Sequence, residues 1–95
     1  MANGWVVPDV CPIQLSVVIP MYNEERNVGA LFERLLVVCR QLPFTWEVVC
    51  VDDGSSDDTA AIAVSAGAHV VRHPVNLGQG AAIQTGVEYA RRQPG

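Results

Sequence analysis

The chain has 95 residues, of which 49% are hydrophobic, and a formal net charge of −4 at pH 7. This length suits one small domain, and the apolar content excludes disorder over most of it. The acidic balance, with Arg91-Arg92 as the only basic doublet, argues against nucleic acid as a partner.

The start of the chain differs in character from the rest. Residues 1–14 contain two prolines and lack the basic start and long apolar run of a signal peptide, so we expect a partly ordered leader. No stretch approaches the roughly 20 apolar residues that span a bilayer. Three cysteines are present, Cys11, Cys39 and Cys50. They form no Cys-x-x-Cys pair, which favours a reduced, cytoplasmic setting.

Two short apolar runs, Leu15–Ile19 and Trp46–Val51, carry no polar alternation, and they predict strands at Leu15–Ile19 and Trp46–Asp52. Such runs are typical of strands that are buried on both faces of a parallel sheet. Between them, apolar residues recur at helical spacing from about Glu25 to Leu42. We expect Asn23 to cap the start of this helix.

The second half of the chain repeats this alternation. Ser55-x-x-Asp58 has the pattern of a capping box and predicts a helix at about 57–66, with Gly67 just beyond its end. A third strand is predicted at Ala68–Arg72 and a third helix from Gln79 to Arg92.

The resulting order is β-α-β-α-β-α. Right-handed crossovers predict a three-layer α/β fold whose three parallel strands have the order 3-2-1. The third helix would pack through a face that contains Ile83, Val87 and Ala90.

Polar residues follow the first two strands, at the edge of the sheet where open α/β folds bind ligands. Pro20, Tyr22 and Glu24 follow the first strand, where a ring can stack on a base and a carboxylate can accept from ribose hydroxyls. Asp52 and Asp53 end the second strand, and a carboxylate there suits the N–H of uracil or guanine. A turn with helix-capping acids fits the two aspartates equally well.

Gly78-Gln79-Gly80 opens the third helix, where glycines let the backbone approach a ligand and the helix N-terminus attracts anions. The pattern is not Gly-x-Gly-x-x-Gly, because position 83 is Ile, and this counts against a dinucleotide site. His69 and His73 have no metal-ligand partner at useful spacing, so we expect a structural or surface role for each.

Three motifs in this order, VVIPMYNEE, VVCVDDGSSDDT and NLGQGAAIQTG, resemble the start of family 2 glycosyltransferases with the GT-A fold. The resemblance runs from about Leu15 to Arg92 and is greatest to the dolichol-phosphate mannosyltransferase and polyprenyl-phosphate hexosyltransferase type. It implies that residues 15–95 are the nucleotide-binding front half of a GT-A domain, cut before the strand that leads to an Asp-x-Asp motif.

The resemblance also implies roles for individual residues. Nucleotide contacts would fall at Pro20, Tyr22, Glu24, Val51, Asp52 and Asp53. Among these, Asp53 would contact the base beside the Val51 backbone, and Asp52 would support the turn. The diphosphate and sugar side would have second-rank contacts, namely Asn76, Gly78 and Gly80.

By the same resemblance, the full enzyme would be inverting and would transfer a hexose from a UDP- or GDP-sugar to an acceptor. Polyprenyl phosphate at the cytoplasmic face of a membrane is a candidate acceptor. The divalent cation, Mg²⁺ or Mn²⁺, is held by the Asp-x-Asp motif in that family. The 95 residues contain no such motif, so we expect no metal ligand and no catalytic residue here, and an inactive chain.

Two other functions remain open at this point. A sugar-1-phosphate nucleotidyltransferase has a similar architecture, but its Gly-rich basic loop after the first strand is absent from MYNEER. A non-catalytic nucleotide-binding module is the other alternative.

Because the first strand would form an edge of the sheet, we also expect the chain to associate with itself.

Overall fold

The structure is a computed structural model, and it describes residues 13–92. Its elements in chain order are β1 (Leu15–Met21), α1 (Glu25–Cys39), β2 (Trp46–Asp52), α2 (Thr59–Ser65), β3 (His69–Arg72) and α3 (Gln79–Ala90). The three strands are parallel and β2 lies between β1 and β3, which confirms the predicted fold class and strand order. Most of the predicted leader lies outside the described residues.

The sheet is covered by helices on both faces. On one face, Val28 and Phe32 of α1 pack with Ala63 of α2 over Val48 and Cys50. The helix α3 covers the other face and packs against β1 and β2. This burial on both faces explains why β2 is apolar over nearly its whole length.

The packed face of α3 differs from the predicted one. Ala82 and Gly86 are buried, whereas Ile83 and Val87 are each 43% exposed. The reason is the close approach of α3 to the sheet, since a Cβ added at Gly86 would lie 2.3 Å from Val18 Cγ1. At this distance only the smallest side chains fit between helix and strand.

The boundaries of the first two elements also need correction. The strand β1 extends to Met21, so Pro20 lies within the strand rather than after it. A proline is tolerated there because, among the described residues, β1 pairs with β2 alone and its other edge needs no donor. The helix α1 ends at Cys39, three residues before the predicted end, and a turn follows in which Leu42 N donates to Cys39 O (3.0 Å).

The predicted caps of α1 and α2 were wrong at their N-termini. Residue 23 has a φ of 51° and Glu24 is the N-cap of α1, so Asn23 lies outside the helix. The helix α2 begins only at Thr59, because the Ser55 hydroxyl accepts a hydrogen bond from another loop instead of from its own helix.

The predicted end of α2 is confirmed. Gly67 has a φ of 95°, a conformation that favours glycine, and its N–H donates to Val64 O at 3.0 Å. The next amide, Ala68 N, donates to Ala63 O at 3.2 Å, which completes a Schellman motif. No helix within residues 13–92 is both long and apolar enough to cross a membrane.

Candidate functional site

A cleft of about 500 Å³ opens at the carboxyl ends of β1 and β2, beside the start of α3. Its volume lies within the range of small-molecule sites. Nine residues line it, namely Pro20, Met21, Tyr22, Glu24, Asp53, Asn76, Gly78, Gln79 and Ala82. The cleft therefore brings together six of the predicted site residues, which lie on three separate segments of the chain.

Three predicted site residues do not line the cleft. Val51 is fully buried, and its Cγ2 would lie 3.1 Å from a Cβ added at Gly86, so its side chain faces α3. Gly80 lies in the first turn of α3. Asp52 is fully buried, and its Oδ2 lies 3.0 Å from Nε of Arg72, an ion pair without hydrogen-bond alignment.

The loop after β1 is fastened to the loop after β2 by polar contacts. Asn23 N donates to Ser55 Oγ (2.8 Å), and Ser56 N donates back to Asn23 Oδ1 (2.9 Å). Glu24 N donates to Thr59 Oγ1 at 2.8 Å. The side chains that the sequence suggested as helix caps thus join two loops, and they hold residues 22–24 at the mouth of the cleft.

Two of these mouth residues present functional groups to solvent. Tyr22 lines the cleft and is 48% exposed, so part of the residue is accessible to a ligand. Glu24 is exposed as well, and its Oε2 accepts a hydrogen bond of 3.1 Å from Asn27 Nδ2. An aromatic residue and an acidic residue therefore both line the mouth of the cleft.

Asp53 forms the floor of the cleft and is 3% exposed. Its Oδ1 accepts hydrogen bonds from His73 Nδ1 (2.7 Å) and Leu77 N (2.9 Å). Its Oδ2 accepts from Gly78 N (2.8 Å) and Asn76 Nδ2 (3.1 Å). A carboxylate offers about four lone-pair sites, so all of them are used within the protein.

These contacts bear on the chemistry of Asp53 in two ways. The hydrogen bond from His73, followed by that from Leu77 N, holds the pKa of the carboxyl group below its usual range. A base N–H would have to share an oxygen that already has two donors. The base contact implied for Asp53 stays a prediction, whereas its contacts with residues 76–78 are a finding.

Sequence reasoning missed three lining residues, Met21, Gln79 and Ala82. His73 lies behind the cleft and contacts Asp53, a contact that sequence reasoning also missed. It is 8% exposed, and its second ring nitrogen, Nε2, lies 2.8 Å from Thr85 Oγ1. Its partners are 20 and 12 residues away, too far for any local motif to indicate. The parallel pairing of β2 and β3 was the signal that could have indicated His73 as a neighbour of Asp53. It places the end of β3 beside the end of β2, where His73 N donates to Asp52 O (2.9 Å).

Gly54 brings the loop after β2 against the segment before α3. Its φ of 78° favours glycine, and an added Cβ would lie 2.5 Å from Asn76 N and from Val75 C. The backbone of residues 75–76 therefore packs directly against Gly54, next to the segment that donates to Asp53.

Within residues 13–92, no three His, Cys, Asp or Glu side chains come together to hold a metal ion, so these residues do not fit a divalent cation. A second cleft, of about 350 Å³, lies between α1 and the amino end of β2, and its lining includes Phe32, Leu36 and Trp46.

The sequence profile described as "Glycosyl transferase family 2" matches residues 16–93. Among curated proteins, the chain is 43% identical over 82 residues to an undecaprenyl-phosphate 4-deoxy-4-formamido-L-arabinose transferase of Pectobacterium carotovorum subsp. carotovorum (strain PC1). This match covers 80% of the chain and 25% of the relative, so the chain spans about a quarter of that protein.

Solved structures show the same fold. A mannosyltransferase from Pyrobaculum calidifontis, in complex with GDP-Man and Mn²⁺, has a TM-score of 0.62 at 24% identity, over 85% of this chain and 27% of that one. The glucosyl-3-phosphoglycerate synthase of Mycobacterium tuberculosis, in complex with Mn²⁺, UDP and glucosyl-3-phosphoglycerate, has a TM-score of 0.56 at 28% identity. That match covers 86% of this chain and 33% of the synthase chain. The fold is that of GT-A glycosyltransferases, as the sequence predicted.

Proposed function

Because the chain belongs to glycosyl transferase family 2, we propose that its cleft binds the nucleotide of a UDP- or GDP-sugar. In this proposal residues 15–95 are the nucleotide-binding part of an inverting enzyme that transfers a hexose. The observation that carries it is the cleft itself, which lies at the carboxyl ends of two parallel strands and is lined by the half-exposed Tyr22 and the exposed Glu24.

The base and ribose would lie at the mouth of the cleft. The ring of Tyr22 would stack on the base, and the carboxylate of Glu24 would accept hydrogen bonds from ribose hydroxyls. Pro20 forms the adjacent wall. Asp53 also lines the cleft, and the base would have to share an oxygen of a carboxylate whose four acceptor positions are in use.

The diphosphate would lie beside Asn76 and Gly78, at the start of α3. The first hydrogen bond within α3 runs from Ala82 N to Gly78 O, so the amides of residues 79–81 precede the intrahelical ladder. Such amides and the helix dipole attract anions. Gly80 would act here through its backbone, which explains how it can serve the site without lining the cleft.

The acceptor and the metal belong to the whole protein. Polyprenyl phosphate at the cytoplasmic face of a membrane is the proposed acceptor, by likeness to the undecaprenyl-phosphate transferase. Mg²⁺ or Mn²⁺ would assist the departing diphosphate, with ligands outside the described residues. We place no catalytic residue in this chain, and the 95 residues alone should not transfer sugar.

The chain is also proposed to associate with itself. Within residues 13–92, β1 pairs only with β2, and the exposed apolar residues include Leu15 of β1 and Ile83 and Val87 of α3, a helix that packs against β1. A free strand edge without lysine is a template for pairing with a second copy. Sedimentation velocity at several concentrations should show a dimer or larger species, and a strictly monomeric chain would contradict this.

The nucleotide proposal can be tested with the 95-residue chain. Titration with UDP and with GDP should shift the backbone amide signals of residues 21–24 and 76–82. Loss of the charged acceptor in Glu24→Gln should weaken binding by about tenfold. The matched control is Glu33→Gln, which makes the same charge change at an exposed position of α1.

The outcomes are distinct. Shifts that cluster around residues 32–48, or equal affinities in the two glutamine variants, would contradict the proposed site. Asp53→Ala should abolish the shifts, because it removes both the implied base contact and the support of residues 76–78.

A further inference from the structure

His73 lies behind the cleft rather than in its lining, and it connects three elements. Its backbone N–H donates to Asp52 O at the end of β2. One ring nitrogen contacts Asp53 and the other contacts Thr85 in α3. The side chain is 9% exposed, so solvent hardly competes for either contact.

The Asp53 carboxylate has donors of two kinds. Three of them come from one short segment, Asn76 to Gly78, which joins β3 to α3. The fourth is His73, whose backbone is tied to the sheet. If only this segment contacted Asp53, the segment and the carboxylate could move together. The imidazole holds Oδ1 at a fixed place relative to β2, because the backbone of His73 is hydrogen-bonded to the end of that strand.

The contact of Nε2 with the Thr85 hydroxyl fixes the orientation of the imidazole ring. With the proton on Nδ1, the ring donates to Asp53 and its Nε2 accepts from the Thr85 hydroxyl. A hydroxyl can also accept, so the contact survives if Nε2 carries a proton. The ring therefore has a partner on both sides in either state.

We propose that His73 is a positioning residue of the nucleotide site, which fixes Asp53 so that residues 76–78 form the diphosphate-facing wall of the cleft. The nucleotide ligand in this inference rests on the proposed function. The positioning role itself rests on the observed hydrogen bonds of Asp53. His73 acts through Asp53 and touches no ligand itself, since it does not line the cleft.

Two variants separate the two ring contacts. In His73→Asn, the amide nitrogen occupies the place of Nδ1 and can still donate to Asp53. In His73→Gln, the amide reaches the place of Nε2 and can serve Thr85 but not Asp53. The matched control is His69→Asn, at the opposite end of β3, where the ring contacts Glu47 and Tyr89.

The first measurement is made without nucleotide. Hydrogen exchange of the Leu77 and Gly78 amides, which donate to Asp53, should become at least about tenfold faster in His73→Gln, because these hydrogen bonds lose their fixed acceptor. His73→Asn should restore slow exchange, and His69→Asn should leave it unchanged.

The second measurement is the affinity for UDP and for GDP. We expect about tenfold weaker binding in His73→Gln, and values near those of the unaltered chain in His73→Asn. Equal losses in the two His73 variants, in either measurement, would overturn the positioning role and indicate that the imidazole only fills space.

The design separates the two proposals. If the unaltered chain binds neither nucleotide, the proposed function fails, while amide exchange still decides the role of His73. If circular dichroism shows that His73→Gln does not fold, His73→Ala replaces it, since it also removes the donor to Asp53. Faster exchange at residues 77–78 in His73→Ala supports the proposal, and unchanged exchange contradicts it.

Discussion

The helix α3 lies close to the sheet at Gly86, and replacement of this glycine tests the packing that positions the cleft. In Gly86→Ala, the new Cβ would lie 2.3 Å from Val18 Cγ1 and 3.1 Å from Val51 Cγ2. The first distance is far inside van der Waals contact, so either α3 moves outward or Val18 leaves its rotamer.

The expected magnitude follows from two opposing effects. Overpacking of this kind costs about 1–3 kcal/mol, whereas replacing glycine by alanine within a helix recovers up to about 1 kcal/mol. We expect a net loss of about 1–2 kcal/mol, which lowers Tm by roughly 4–16 °C in a domain of this size. Thermal unfolding followed by circular dichroism measures it.

Gly29→Ala is the matched control for this prediction. Gly29 lies in α1, is exposed, and has no atom within 4 Å of an added Cβ. It should gain up to about 1 kcal/mol from helix propensity alone. If Gly86→Ala were as stable as the unaltered chain, α3 would not approach the sheet at this point, and the arrangement of the cleft wall would be wrong.

Other predictions test the site and the core. Gly54→Ala should destabilise by more than about 2 kcal/mol in urea unfolding, since it combines a positive φ with a clash against the Asn76 backbone, and near-neutrality would contradict that loop packing. Burial raises the pKa of the Cys50 thiol to about 12, so iodoacetamide at pH 8 should label it only after unfolding, as peptide mass spectrometry can show. The pKa of Asp53 is held below its usual range mainly by His73, so the charged carboxylate contributes stability that is fully present above about pH 4 and lost at lower pH. Asp53→Asn should therefore flatten the dependence of Tm on pH between roughly pH 5 and pH 2, and an unchanged dependence would refute this.

The strands were predictable because their sequence signal is local. Trp46–Asp52 is a run of mostly apolar residues, and the observed β2 has the predicted bounds. The place of the cleft followed from parallel topology, which gathers the ends of neighbouring strands at one edge. Sequence therefore located the site without defining its contacts.

The remaining contacts depend on tertiary structure. Asn23 and Ser55 have the composition of helix caps, but each finds its partner in the other's loop, more than 30 residues away. Val87 fits the apolar stripe of α3, yet Gly86 is buried instead, because the distance between helix and sheet leaves room only for small residues. His73 has no local motif at all, and only the strand register brings it to Asp53.

The central claim is that a nucleoside diphosphate occupies the cleft at the carboxyl ends of β1 and β2. The most direct measurement is a set of isotope-filtered NOE spectra of the ¹⁵N,¹³C-labelled chain with unlabelled UDP or GDP. We predict NOEs from the base protons to the Tyr22 ring and from the ribose protons to the Glu24 side chain. NOEs to Phe32 and Trp46, which line the second cleft, would contradict the claim.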